Sequence, residues 1–339
     1  MRFLRRRLTA ALAVVLVLLL AGFAWAVTTP SGYYVFWPDE AHPTVDYLHI
    51  PGGEKPAGRS GFYFVDVREL EAYKLEEFWG RHLQDGADLV PVSDLRSPGV
   101  SETQRVHRDF QAMADSQRTA EVVAEQALGK PVKLARLGAL VYAVSSGLPA
   151  AKAGIKPGDI ITAFDGHPVR TEHDLIRLTD GLSPGDSAQY TFRDAGTKTL
   201  RTVESSDGKH RAIIGVAIGD AVRIRRIPVH VRYTIHGIGG PSAGLAFALE
   251  IYDSLSGRHL LRGHKIAVTG ELDLAGGVHE IGGVNQKTIG AINAGADTFL
   301  VPAGANFKDA RRTAHGRIHV IAVTSFDQAL SVIRGLPPR

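Results

Sequence analysis

Ser242 and Lys287 are the two residues whose types and surroundings best suit covalent chemistry. Ser242 lies in Gly239-Gly240-Pro241-Ser242-Ala243-Gly244. A strand-like run at 229–235 precedes it and a helical run at 245–255 follows, with Gly257 as a stop. The serine therefore occupies a glycine-rich strand-to-helix turn. Small neighbours leave its hydroxyl accessible, and the unbonded N–H groups of a helix start can stabilise an oxyanion. The same residue types also make an ordinary N-cap in a tight turn. Lys287 falls on a short helix predicted over 284–294 and stopped by Gly295. Val284, Ile289, Ala291, Ile292 and Ala294 surround it. Lysine is seldom buried. Where it is, desolvation lowers its pKa until a neutral amine can take the proton of a serine. On a solvated face it would be a plain surface lysine.

Several other chemistries are excluded or weakened. The chain has no cysteine, which removes disulfides, thiolate nucleophiles and cysteine-based zinc sites. No G-x-x-x-x-G-K-[ST] phosphate loop occurs in the 339 residues. No cofactor or metal is called for. G-x-S-x-G is also the nucleophile elbow of α/β-hydrolases. That fold needs most of a parallel sheet before the serine, then an acid and a histidine. Only 97 residues follow Ser242, and no strand–helix alternation precedes it.

The elements that must position these residues begin with a charged tag. The net charge is +4, yet Arg2, Arg5, Arg6 and Arg7 account for all of it. Without them the chain carries 35 basic and 35 acidic groups. A neutral body argues against nucleic acid as a partner. Residues 8–27 form an uncharged, mostly apolar run of 20 residues, long enough to cross a bilayer core of about 30 Å. Arginine on its N-terminal side keeps that end cytoplasmic and the bulk outside. The segment 1–29 is thus expected to be a single-pass anchor in the cell membrane. Ala24-Trp25-Ala26 keeps a cleaved signal peptide as the other reading.

Residues 30–130 are expected to form an α/β region without a catalytic constellation. Tyr33-Tyr34-Val35-Phe36-Trp37 reads as a strand or a membrane-proximal aromatic stretch, and 62–67 as a strand. Residues 69–83 read as helical. A long amphipathic helix is predicted over 101–128, with Ser101 and Gln104 as a capping box. Its apolar face is Val106, Phe110, Met113, Ala120, Ala124 and Ala127, which marks a packing helix.

The stretch 131–205 contains A-G-I-K-P-G-D-I-I at 153–161 and an Asp165-Gly166 turn. It resembles a PDZ domain of bacterial envelope proteases. The resemblance implies a β-barrel-type domain that binds a peptide carboxylate on the loop Leu137, Gly138, Ala139 and Leu140. The peptide would add as a strand beside the helix 171–180. A PDZ fold that only packs against its neighbour is the other reading.

Five elements in order across 215–335 resemble the proteolytic domain of the Lon family. They are G-P-S-A-G at 240–244, T-G-E at 269–271, G-G-V-H-E-I-G-G at 276–283, Lys287, and A-G-A-D-T-F-L-V-P at 294–302. The resemblance implies a Lon-type α/β domain with a Ser–Lys dyad. Ser242 would be the nucleophile, Lys287 the general base and Thr269 the hydroxyl that orients the lysine, with Glu271 as an acidic position beside it. Two positions depart from the family pattern. Gly239 stands where Asp is common, and Gln286 where Glu is common. The whole chain resembles membrane-anchored, PDZ-containing Lon-type proteases of Gram-positive bacteria: α+β, multidomain, with an N-terminal transmembrane helix. Together these features imply an ATP-independent, membrane-tethered serine endopeptidase acting on unfolded or exposed polypeptide. By analogy it would form a homo-oligomer, a hexamer. A PDZ-based envelope binding or regulatory protein with a weakly active Lon-like domain is the rival function.

Overall fold

The computed structural model describes residues 2–54, 60–79, 86–95, 101–205, 210–257 and 259–339. Pro56, Gly58, the last part of the helix expected over 69–83 and the side chains of Arg2, Arg5 and Arg6 lie outside the described residues. The chain divides into two compact units. One joins Met1–Lys130 with Pro228–Arg339, and the other is Pro131–Ile227.

The first unit opens with α1 (Arg2–Thr28), whose stretch Ala10–Thr28 is long and apolar enough to cross a membrane. β1 (Pro30–Pro43) follows at once, then a short turn of helix and β2 (Leu48–His49). β3 (Gly61–Tyr73) pairs antiparallel with β1 along nearly its whole length. Here the structure departs from the sequence expectation. Residues 69–73 are strand, and among the described residues of that segment α2 (Lys74–Trp79) is helical. Val35, Phe36 and Trp37 stand opposite Leu70, Glu69 and Arg68, so cross-strand pairing outweighs the helix propensity of the charged run. β4 (Asp88–Pro91) pairs with the other edge of β1 and leads to α3 (Val92–Leu95). α4 (Glu102–Ala127) starts at Ser101, whose side chain accepts from the Gln104 N–H while the Gln104 side chain accepts from the Ser101 N–H.

The second unit runs through β5 (Lys133–Val144), α5 (Pro149–Lys152), β6 (Ile160–Phe164) and β7 (His167–Pro168). α6 (Glu172–Thr179) is capped by Thr171. β8 (Ser187–Phe192), β9 (Gly196–Arg201), β10 (Val203–Glu204), β11 (Ala212–Ile213) and β12 (Val216–Arg226) complete it. Its main sheet has the order β12-β5-β6-β8-β9. Its own core includes Val141, Ile161, Phe164, Leu175, Tyr190 and Phe192.

The chain then returns to the first unit. β13 (Arg232–Tyr233) pairs with β2, and α7 (Gly244–Leu255) is buried along most of its length against α4. β14 (Lys265–Val268), the hairpin of β15 (Glu271–Leu272) and β16 (Val278–His279), and α8 (Val284–Asn293) come next. β17 (Thr298–Pro302), α9 (Ala305–Ala314), β18 (His319–Val323) and α10 (Phe326–Gly335) end the chain. One six-stranded sheet, β18-β17-β14-β3-β1-β4, binds early and late sequence together. β14 lies parallel to β3 on one side and to β17 on the other. The sequence reading gave 30–130 a region of its own. In the structure it supplies three strands of that sheet and the helix packed on α7. Residues 215–227 lie in the second unit.

Candidate active site

Lys287 is held by small residues. α8 lies on β1 and β3, and at Gly290 a Cβ would fall 2.4 Å from the Asp39 carbonyl oxygen. Only glycine permits that approach. Burial follows: Lys287 is 4% exposed. Loss of water pushes its pKa down to about 8, with Asp66 and Glu69 on β3 acting in the opposite direction. Its Nζ lies 2.7 Å from the Ser242 Oγ.

Ser242 sits two residues ahead of α7, in a turn that several backbone bonds hold. Its carbonyl accepts from the Gly270 N–H at 2.8 Å and from the Thr269 hydroxyl at 3.2 Å. The Thr269 hydroxyl thus bonds to the serine backbone, where the sequence reading expected it to orient the lysine. The reason is its place at the end of β14, where its side chain meets the serine turn. From α4 the Asp109 carbonyl accepts the Gly240 N–H at 2.8 Å, and the Ser116 hydroxyl donates to the Pro241 carbonyl at 3.0 Å. The amides of Gly244 and Leu245 are taken by Pro241 and Gly270. Those of Ser242 and Ala243 bond to no group among the described residues. The free N–H groups expected at the helix start are thus these two.

Both departures from the family pattern have local causes. A Cβ at Gly239 would lie 2.9 Å from the Asp109 Cβ, so α4 already fills that space. Gln286 is 2% exposed, and its side-chain amide donates to the Gly86 carbonyl and to Asp88 Oδ2, each at 2.8 Å. A carboxylate cannot make either bond. Glu271 lines the same cleft, and its carboxyl is pushed upward by loss of water around it.

The cleft has a volume of about 810 Å³ and includes Ser242, Lys287 and Glu271. Val106 and Phe110 of α4 line it, 36% and 45% exposed. Sequence periodicity assigned these two to a packing face, since it cannot distinguish a buried apolar residue from one that walls a cleft. His42 also lines it, between Asp66 at 3.2 Å and the Tyr47 hydroxyl at 3.2 Å. The hydrogen bond to Asp66 raises the His42 pKa against its burial. Sequence reasoning missed His42 and Asp66, which sit 24 residues apart and far from the motifs.

In the second unit the expected peptide loop is not a loop. Leu137, Gly138, Ala139 and Leu140 lie inside β5, which has β12 on one edge and β6 on the other. At Gly138 φ is +135° and a Cβ would meet the Ile161 carbonyl oxygen at 2.3 Å. Its glycine serves the close approach of β6. The sheet ends in β12 on one side and β9 on the other, and α6 packs against β12, with the Glu172 N–H donating to Asp220 Oδ1 at 2.6 Å.

Residues 126–204 match the PDZ domain family, and residues 210–334 match the Lon protease (S16) C-terminal proteolytic domain. The chain carries a Lon-type proteolytic domain. Over that domain it is homologous to Lon proteases. "Lon protease" of Clostridium acetobutylicum is 36% identical over 185 residues, covering 53% of this chain and 22% of that protein. "Lon protease 2" of Herpetosiphon aurantiacus is 35% identical over 118 residues, covering 33% and 14%. "Probable periplasmic serine endoprotease DegP-like" of Rhizobium meliloti is 40% identical over 79 residues, covering 22% and 16%. The chain thus spans less than a quarter of the length of these relatives. The crystal structure of the PDZ domain of an SdrC-like protein from Listeria monocytogenes is similar at 23% identity and a TM-score of 0.24, covering 26% of this chain and 93% of that one.

Proposed function

We propose that the chain is a serine endopeptidase that acts without ATP on unfolded or exposed polypeptide, tethered by α1 with its bulk outside the cytoplasmic membrane. The observation that carries this reading is the 2.7 Å contact between a buried lysine amine and the Ser242 hydroxyl. With Lys287 neutral, Nζ takes the hydroxyl proton as Oγ attacks a peptide carbonyl carbon. The oxyanion that forms is met by the N–H groups of Ser242 and Ala243. The Lys287 ammonium then gives its proton to the departing amine, leaving an acyl-serine. Water, deprotonated by Lys287, attacks that ester and frees the acid. Thr269 keeps the serine backbone in place throughout. Glu271, Val106 and Phe110 contact the substrate chain.

The second unit serves capture. β-Augmentation needs a sheet edge without a partner. Of the two outer strands, β12 and β9, the one flanked by α6 is β12, whereas residues 137–140 lie between paired neighbours. An antiparallel strand added there would end at the start of β12. Its carboxylate would meet the backbone at the Gly215 turn, where φ is +84°. ATP independence is supported by the lack of a phosphate loop in the sequence.

Purified full-length chain, Ser242→Ala and Lys287→Ala would be assayed on an unstructured protein without nucleotide. The wild type cuts it and neither variant does. Cleavage by either variant at the wild-type rate would overturn the dyad.

A further inference from the structure

Among the described residues outside α1, the most exposed pair of neighbouring aromatic side chains lies on α2. Phe78 is 84% exposed and Trp79 51%, and their rings meet edge to face at 6.1 Å. Side chains of this size gain nothing from water, so their position needs another partner. That position is beside the end of α1. The Lys74 N–H, where α2 begins, donates to the Thr29 carbonyl at 2.9 Å, and α2 packs against α1. The Ser31 hydroxyl donates to the Ala72 carbonyl at 2.7 Å and fixes the adjoining strands. α1 itself presents Phe23 and Trp25 near its end, each 59% exposed. Six helical residues span about 9 Å, so Phe78 and Trp79 lie within that distance of the junction between α2 and the end of α1, and Phe23 and Trp25 lie within the last two turns of α1 before the same junction. The charges of α2 are largely satisfied within it. Lys74 pairs with Glu77 at 2.5 Å, and Glu76 accepts the Tyr73 N–H. Aromatic rings flanked by satisfied polar groups are the composition favoured at the boundary between acyl chains and headgroups.

We infer that α2 lies in the interfacial layer of the bilayer that α1 crosses, with Phe78 and Trp79 inserted among the lipid headgroups. The inference rests on α1 being an anchor. A single helix would leave the catalytic unit free to tilt about one point. A second contact, bonded directly to the end of the first, fixes the height of β1 and β3 above the membrane. Both strands carry cleft residues, so the cleft height is fixed with them.

The chain has three tryptophans, Trp25, Trp37 and Trp79, and no cysteine. Full-length variants keeping one tryptophan each, W25F/W37F and W37F/W79F, would be reconstituted in phosphatidylcholine vesicles containing lipids brominated at shallow or deep acyl positions. Trp79 fluorescence should be quenched severalfold more by shallow than by deep bromines, and Trp25 should also be quenched. Quenching of Trp25 with none of Trp79 would overturn the inference and leave the anchor standing. Quenching of neither would overturn the anchor, and the inference with it. A second measurement avoids the tryptophan changes. F78C, the only thiol in its chain, is labelled with a polarity-sensitive dye, and its emission should shift to the blue on reconstitution. Unshifted emission would overturn the inference.

Discussion

The Thr269 hydroxyl donates to the carbonyl oxygen of Ser242 at 3.2 Å, so the residue beside the dyad acts on the serine backbone. Thr269→Val keeps the shape and removes that bond. A neutral hydrogen bond contributes about 1 kcal/mol, which corresponds to roughly a fivefold fall in rate. We expect kcat to drop by this order with KM little changed, and Thr269→Ser to restore it. Because no hydrogen bond joins this hydroxyl to Lys287, the pH profile of Thr269→Val should match the wild type. A displaced pH midpoint would show that Thr269 acts on the lysine instead.

Gln286 ties α8 to the start of β4 through two donated bonds. Gln286→Glu would set a second carboxylate against Asp88 and leave the Gly86 carbonyl without its donor. Loss of such a buried arrangement costs roughly 1–3 kcal/mol. Thermal unfolding should show a lower Tm for Gln286→Glu. Adding Asp88→Asn, whose amide can donate to the new carboxylate, should recover much of the loss. Equal Tm for wild type and Gln286→Glu would refute this account of the position.

Glu121 on α4 is buried, and its pKa is pushed up to about 7, chiefly by loss of water and next by Glu125. The folded state therefore holds this proton at pH values where the unfolded chain has released it. The stability this proton contributes is present in full below the unfolded value, falls as pH rises, and is lost once pH passes the folded value of about 7. Glu121→Gln carries no titrating proton. We expect a higher Tm than wild type at pH 8, little difference at pH 5, and a flatter profile between them. Parallel wild-type and variant Tm curves would contradict the assignment.

Local signals were legible in sequence where a short segment decides its own structure. The Ser101–Gln104 box starts α4, and glycine stops end α7, which follows Ser242, and α8, which carries Lys287. The 2.7 Å contact between those two joins residues 45 apart, and order and spacing of motifs pointed to it. What was hidden depends on distant pairing. Residues 69–73 became strand because β1 lies beside them. Val106 and Phe110 wall a cleft because β3 and the serine turn face α4 across it. β12 is an outer strand of the second unit because it covers β5 from more than 70 residues away in sequence, and no local pattern reveals which strands lie outermost.

The role of Lys287 as the base is tested most directly by the pH dependence of kcat/KM for a peptide substrate, which reports the free enzyme's essential groups. A lysine lowered to about 8 predicts a rate that rises tenfold per pH unit at acid pH and levels off near pH 8. A midpoint near 10.5, the ordinary lysine value, or a rate flat from pH 6 to 10, would contradict a buried lysine as the base.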